Sequence, residues 1–106
     1  MSFVDVDKLN VTERLPGWRG RYFHTVKMTV AQYEFTRGAS IHEYHHPQEE
    51  LNDVLEGELE LAIDGVTQVA RPGVAAIVPS NARHSVRALT DGRAIIVDSP
   101  ARPEFG

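Results

Sequence analysis

The sequence predicts an all-β domain, either a sandwich or a barrel. Short segments alternate apolar and polar side chains or are wholly apolar, turn residues separate them, and no long segment repeats apolar residues with the period of a helix. Several short strands joined by turns are typical of β-sandwiches and β-barrels. The only helical expectation is a single turn within residues 4–9.

The strands are assigned from their patterns in chain order. Lys27–Phe35 has apolar residues on both faces, which indicates a sheet packed on both sides. Leu55–Ile63 alternates leucine and isoleucine with glutamate, and Asp64-Gly65 directly after it predicts a tight hairpin turn because glycine accepts a positive φ. The remaining predicted strands are residues 66–70, residues 73–78 and a second hairpin of residues 85–89 and 93–97 around Asp91-Gly92.

The length and the charge indicate one domain that binds neither nucleic acid nor a membrane. The chain of 106 residues is long enough for one domain and too short for two. Its formal net charge is −4 and its lysines and arginines are scattered, so no basic patch for nucleic acid or an anionic membrane is expected. No apolar run approaches the roughly 20 residues of a membrane span.

The ends of the chain and the lack of cysteine give further expectations on domain organisation, location and metal ligands. We expect a single domain over residues 1–106, with an arm at 1–16, a barrel at 17–98 and a strap at 99–106. The first residues have neither the basic flank nor the apolar core of a signal peptide, so a cytoplasmic protein is expected. Because the chain has no cysteine, disulfides and thiolate metal ligands are excluded.

Histidine is concentrated in two parts of the chain, which predicts a metal site. On an extended strand, residues 42, 44 and 46 point to one face. After a turn the chain re-enters a strand, so Glu50 can face His46, and His84 adds an imidazole from a distant part of the chain. Divalent transition metals accept neutral imidazole nitrogen and carboxylate oxygen. We therefore expect His46, Glu50 and His84 to hold one divalent ion of Ni, Zn, Mn or Fe.

Turn-forming residues accompany these ligands in two groups. The residues are Gly38, His46, Glu50 and Gly57 in the first group, and Gly73, Pro79 and His84 in the second. Their order and spacing resemble the two motifs of the cupin superfamily, over nearly the whole chain. Asn81 stands where the second motif has glycine, and asparagine tolerates the same left-handed backbone. The resemblance implies a double-stranded β-helix, or jelly-roll, barrel with one metal ion in its mouth.

One position departs from the first motif, which has two histidines separated by one residue. Tyr44 stands where the first of these histidines is expected, so the ligand set of three histidines and one carboxylate or amide that the resemblance implies is incomplete. Three alternatives are open. The Tyr44 phenol lies on or near the metal, His42 on the same face replaces the missing ligand, or a distorted strand turns His45 inward.

Four shorter segments refine the resemblance, and they are Leu15–Arg19, Pro47–Glu50, Val54–Glu58 and Asp98–Arg102. They are similar to segments of small single-domain cupins, among them the pectin-degradation proteins that help to linearise unsaturated uronates. In those proteins a tail arginine and an acidic residue before it serve the substrate. The resemblance puts Arg102 at the place of that arginine, Ile96 at the acidic position and Asp98 at the place of an aromatic residue between them.

These features support two classes of function. The first is a metal-dependent isomerase or lyase that acts on a small oxygen-rich sugar acid, keto acid or enol, with ferrous-iron dioxygenase chemistry as an alternative because two histidines and one carboxylate also suit iron. In such an enzyme Arg102 would pair with a substrate carboxylate, and Tyr44 or Glu50 would move a proton. The second class is a non-catalytic module that binds a metal or a small ligand, which the departures at Tyr44, Ile96 and Asp98 favour.

The chain also has more apolar surface than one small barrel buries. Both faces of the strand at residues 27–35 are partly apolar, and the first strand contains Trp18, Tyr22 and Phe23. We therefore expect a homodimer packed sheet on sheet.

Overall fold

The computed structural model describes residues 3–105, so residues 1, 2 and 106, at the ends of the expected arm and strap, lie outside the described part. A single 3₁₀ turn, Val6–Lys8, falls where one helical turn was expected, and no helix in residues 3–105 is long and apolar enough to cross a membrane. The strands of this part are β1 (Thr12–Leu15), β2 (Trp18–His24), β3 (Thr29–Phe35), β4 (Ser40–Tyr44), β5 (Glu49–Glu56), β6 (Leu59–Ile63), β7 (Val66–Ala70), β8 (Ala76–Val78), β9 (His84–Ala88) and β10 (Gly92–Ser99).

The strands form two antiparallel sheets, which confirms the predicted all-β fold. A 6-stranded sheet has the order β1-β2-β3-β10-β5-β8, and a 4-stranded sheet has the order β4-β9-β6-β7. Neighbouring strands are often far apart in sequence, because the chain passes repeatedly from one sheet to the other. Such an arrangement of two sheets is that of a jelly roll.

Apolar side chains from both sheets fill the space between them. Trp18 of the 6-stranded sheet is 2% exposed, and its ring lies 5.7 Å from that of Phe35. Leu59 and Leu61 face them from the 4-stranded sheet in the same core cluster. The core therefore buries Trp18 within the chain itself.

Strict alternation in β5 positions the polar residues of the site. Every second residue from Glu50 to Val54 is buried, so Glu50 and Asn52 share the inner face with the core residue Val54. The carboxyl and amide groups thus continue the line of core residues toward one end of the barrel.

The predicted strand Leu55–Ile63 is wrong, because two strands occupy this segment. β5 ends at Glu56 and β6 begins at Leu59, and they lie in different sheets. Gly57 between them has a φ of 84°. A Cβ at this position would collide with the carbonyl oxygen of Asp91 and the side chain of Thr90. The chain therefore turns sharply at this glycine, although the apolar alternation continues on both sides.

One of the two predicted hairpins is confirmed and the other is wrong. The turn at Asp64 and Gly65 joins β6 and β7 as a tight hairpin, with both residues at positive φ. In contrast, β9 pairs with β4 and β6, whereas β10 pairs with β3 and β5. Asp91 accepts a hydrogen bond from the Arg37 backbone at 2.8 Å, which holds the connection as it crosses between the sheets. Both strands bury their apolar faces in the core from opposite sides.

The two motif glycines Gly57 and Gly38 provide a matched test of this turn. Both have a positive φ, but an added Cβ would meet neighbouring atoms only at Gly57. We expect Gly57→Ala to lower the free energy of unfolding more than Gly38→Ala, since both variants share a left-handed strain of roughly 1–2 kcal/mol and only the first adds a collision. Urea unfolding of the two variants measures the difference, and equal losses would contradict this account.

Candidate metal centre

Three buried side chains from separate parts of the chain converge near one end of the barrel. His46 lies in the loop after β4, Glu50 lies on β5, and His84 begins β9. Their potential ligand atoms all lie within 4.8 Å of one another. Nε2 of His46 is 3.3 Å from Oε1 of Glu50, and Nε2 of His84 is 3.9 Å from Oε2. The three predicted ligands are thus brought together in one group.

Backbone carbonyl groups orient both imidazole rings. Nδ1 of His46 lies 3.1 Å from the carbonyl oxygen of Gln48, and Nδ1 of His84 lies 2.9 Å from that of Ala82. Since a carbonyl oxygen only accepts, Nδ1 must donate its proton, and the neutral ring keeps a free lone pair on Nε2. This second contact of a ligating histidine is typical of metal sites.

The remaining ring nitrogens fit a metal ion. Both Nε2 atoms are buried and have no hydrogen-bond partner. Burying a polar atom without a partner costs free energy, so such atoms point to a missing ligand. Two imidazole nitrogens beside a carboxylate are a donor set that suits Zn, Mn, Fe or Ni. The residues present therefore fit the divalent metal that the sequence predicts.

Glu50 is held in the charged form that a metal requires. Burial alone would raise the pKa of its carboxyl group, but the surrounding polar groups, the Asn52 amide among them, outweigh burial and lower that pKa. The side-chain amide of Asn52 donates to Oε2 at 2.9 Å. This hydrogen bond holds the carboxylate through Oε2 and leaves its other oxygen, Oε1, directed toward His46.

Tyr44 lies directly beside the group, as the first of the three alternatives requires. It pairs with His84 across β4 and β9, and its ring centroid is 4.5 Å from the ring of His84 and 5.4 Å from that of His46. Burial, followed by the charge of Glu50, raises the pKa of Tyr44 to about 12. The phenol therefore keeps its proton at neutral pH and can donate a hydrogen bond.

The structure does not bring His42 or His45 into this group. Ile41 pairs with Val86 and Tyr44 with His84, so two residues of β4 oppose one residue of β9 in a β-bulge. The bulge interrupts the alternation that put residues 42 and 44 on one face. His42 is exposed and lies at the edge of a cavity, with its ring centroid 6.3 Å from that of Tyr44. His45 is also exposed.

A cavity of about 300 Å³ reaches the donor group at Glu50. Glu50 and Tyr44 line it, and so does the predicted substrate residue Arg102. The guanidinium group of Arg102 lies 3.6 Å from Asp98 and 4.0 Å above the ring of Phe105. A ligand in this cavity would therefore reach both the candidate metal ligand Glu50 and a buried cation.

Asp98 belongs to the site, although the sequence analysis treated it only as a departure. It is 3% exposed and is the register partner of Glu50 on the neighbouring strand. Burial, together with repulsion by Glu50, raises the pKa of Asp98 to about 7, despite the nearby Arg102. Alternation along β10 could have found it, because Ala94, Ile96 and Asp98 share the inner face.

Comparisons with known proteins agree with this geometry. A family model described as Cupin domain matches residues 31–100. An RmlC-like cupin from Shewanella frigidimarina NCIMB 400 has a TM-score of 0.91 at 24% identity, and the match covers 100% of this chain and 96% of that one. KdgF from Halomonas sp. also has a TM-score of 0.91, at 25% identity, with 100% and 99% covered.

A further solved structure is similar at lower coverage. The polyketide cyclase RemF from Streptomyces resistomycificus has a TM-score of 0.78 at 22% identity, over 97% of this chain and 82% of that chain. No curated protein sequence matches the chain. The structural matches confirm the jelly-roll fold that the two sequence motifs imply.

Metal content tests the donor group directly. We expect the purified protein to bind about one divalent transition metal ion per chain, and His84→Ala to abolish binding because it removes one of the converging donors. His45→Ala is the matched control, since this exposed ring lies outside the group. Elemental analysis measures both. Full metal occupancy of the His84→Ala variant would exclude the site.

Proposed function

Because this chain belongs to the cupin domain family, we propose that it is a metal-dependent isomerase or lyase for a small oxygen-rich sugar acid, keto acid or enol. The observation that carries the proposal is that Glu50 of the donor group and Arg102 line the same cavity. A site that only stored a metal would not need a cavity with a buried cation. His46, Glu50 and His84 are the proposed ligands, and His42 is left outside the set.

The metal ligands and the charged and phenolic residues beside the cavity each have a role in this proposal. A divalent metal on the three ligands would supply a Lewis acid for the oxygen atoms of the substrate. Arg102 would pair with the substrate carboxylate, and its contact with Asp98 holds the guanidinium group in position. Tyr44, which keeps its proton, would donate it to a developing oxyanion. The apolar core on one side limits access of water to these groups.

Two other functions remain as alternatives, each with its own support. Two histidines and one carboxylate also suit ferrous iron, which supports a dioxygenase. The replacement of the expected acidic residue by Ile96 supports a non-catalytic module that binds a metal or a small ligand. The cytoplasmic location and the division into arm, barrel and strap stay predictions.

Substitution of Tyr44 distinguishes a catalytic site from a site that only binds a ligand. We expect Tyr44→Phe to lower kcat by about 10²-fold or more because it removes the proposed proton donor, while the metal content stays unchanged. Turnover is measured on the metal-loaded protein with a panel of keto and sugar acids, and a chelator should abolish it. His42→Ala is the comparison variant, and a loss of metal from it would instead favour His42 as a ligand. If no acid is turned over, the binding module becomes the preferred function.

We also propose that the protein forms the expected homodimer, through the outer face of the 6-stranded sheet. Tyr22 is buried within its own chain, as Trp18 is, so the support comes from other residues. An apolar row crosses neighbouring strands of this face, and its members in order are Phe23, Val30, Val97, Leu51 and Ile77. Ile77 is 61% exposed and Leu51 is 37% exposed, so the row is available to a partner.

The charged residues beside this row favour a second copy of the chain as the partner. Arg21 and Asp53 lie at opposite ends of the adjacent row. A two-fold axis parallel to the strands, between β3 and β10, would place Arg21 of each copy opposite Asp53 of the other. Opposite charges at the edge of an apolar contact favour one register of association.

Light scattering tests this interface. We expect a dimer for the unchanged protein and a monomer for Val97→Glu, because the variant places a charge in the centre of the apolar row. Val66→Glu is the control, since Val66 is 60% exposed on the other sheet. A monomer of the unchanged protein at high concentration would refute the homodimer.

A further inference from the structure

The wall of the cavity beside the donor group has charged side chains in one row and mostly apolar side chains in the next row toward the interior. Asp98 and Glu50 are register partners on β10 and β5. Toward the interior, Ile96 pairs with Ala31 on one side and with Asn52 on the other. All five residues line the cavity. A molecule held by the charged row, Asp98 and Glu50, therefore has beneath it a mostly apolar surface in which Asn52 is the polar side chain.

The facing sheet extends this apolar surface. Ile41 and Val86 are register partners on β4 and β9, and both line the cavity. Ile96 and Ala31 also belong to an apolar cluster with Tyr22, against which the ring of Phe105 packs. These side chains cover much of the cavity wall away from the charged row, and none of the aliphatic ones can accept or donate a hydrogen bond.

A hydroxyl-rich ligand would lose hydrogen bonds to water on entering this part of the cavity. The Tyr33 hydroxyl in the wall is bonded to that of Tyr22 at 2.8 Å, and the buried atoms without a partner in the wall away from the charged row are Oδ1 of Asn52 and Nε1 of Trp18. These two atoms are fewer than the hydroxyl groups of a sugar ring require. Buried hydroxyl groups without partners are unfavourable, whereas buried hydrocarbon is favourable. The wall therefore discriminates against a sugar ring and in favour of an aryl or alkyl group.

We propose that the substrate is a small keto or enol acid with an apolar body, and not a sugar acid. Its oxygen-rich head lies toward Glu50, Tyr44 and Arg102, and its apolar body lies against Ile96 and Ala31. This inference rests on the proposed function for the position of the head, and it selects one substrate class among those the function allows. The cavity of about 300 Å³ has room for a body the size of one aromatic ring.

Calorimetric titration of the zinc-loaded protein tests the substrate class without requiring turnover. The probes are phenylpyruvate, which has the head and an apolar body, pyruvate, which has the head alone, and galacturonate, which has a hydroxyl-rich body. We expect phenylpyruvate to bind roughly tenfold or more tightly than either of the others, since burial of the ring adds apolar contact. Equal or tighter binding of galacturonate, or no binding of phenylpyruvate, would overturn the inference.

Two variants locate the apolar body. Ile96→Asn should weaken phenylpyruvate binding about tenfold and leave pyruvate binding and zinc content unchanged, because it alters only the wall. Ala31→Leu should also weaken phenylpyruvate selectively by narrowing the cavity, and it keeps the test available if Ile96→Asn does not fold. Gln32→Leu is the control on the exposed face of the same strand. Unchanged phenylpyruvate affinity in the folded wall variants would contradict the placement.

The outcomes distinguish this inference from the proposed function. If phenylpyruvate binds selectively but no acid is converted, the substrate class stands as a ligand class and the enzymatic proposal fails. If acids are converted but galacturonate is preferred, the enzymatic proposal stands and the inference fails.

Discussion

The buried carboxylate of Glu50 is the constraint on which the site depends. At 4% exposure it cannot rely on water for stabilisation, so the fold must surround it with compensating groups. A side-chain amide on its own strand supplies one hydrogen bond. The two imidazoles, which would share a metal ion with the carboxylate, come from a loop and from a strand of the other sheet. Only a closed pair of sheets brings these three parts of the chain within contact distance.

That arrangement explains why some of the structure follows from sequence and some does not. The ligands His46, Glu50 and His84 could be identified because turns lie at set distances from them in the sequence. Such turns are recognisable by their glycine, proline and asparagine residues. The break at Gly57 was missed because apolar alternation continues through it while the chain changes sheets. Periodicity reports which face of a strand is buried, but it does not report which strand lies beside it. For the same reason the pairing of β9 and β10 could not be inferred from their proximity in sequence.

The positions of His42 and Asp98 show the limits of strict alternation and of family comparison. A bulge of one residue is sufficient to remove His42 from the group, and no local sequence signal marks it. Asp98 was treated as a departure because comparison by position drew attention to Ile96 instead. Alternation along β10 places both Ile96 and Asp98 on the inner face. Asp98 lies in the charged row of the cavity wall, and Ile96 lies in the apolar part. The chain thus has an apolar side chain at position 96 and a carboxylate near Arg102 at position 98.

The bulge opposite Ser85 has a consequence for how this site could change during evolution. His42 and Glu43 fall between two register pairs, so neither side chain is required to fill the core or to aim a neighbouring ring. Substitutions at His42, which lines the cavity, can alter its rim while the pairing of Tyr44 with His84 is kept, and Glu43 beside it contacts the exposed Arg83 and not the donor group. A segment that tolerates variation next to a rigid donor group allows selectivity for new molecules to be explored at little risk to folding. Mutant libraries confined to residues 42 and 43 would sample that freedom directly.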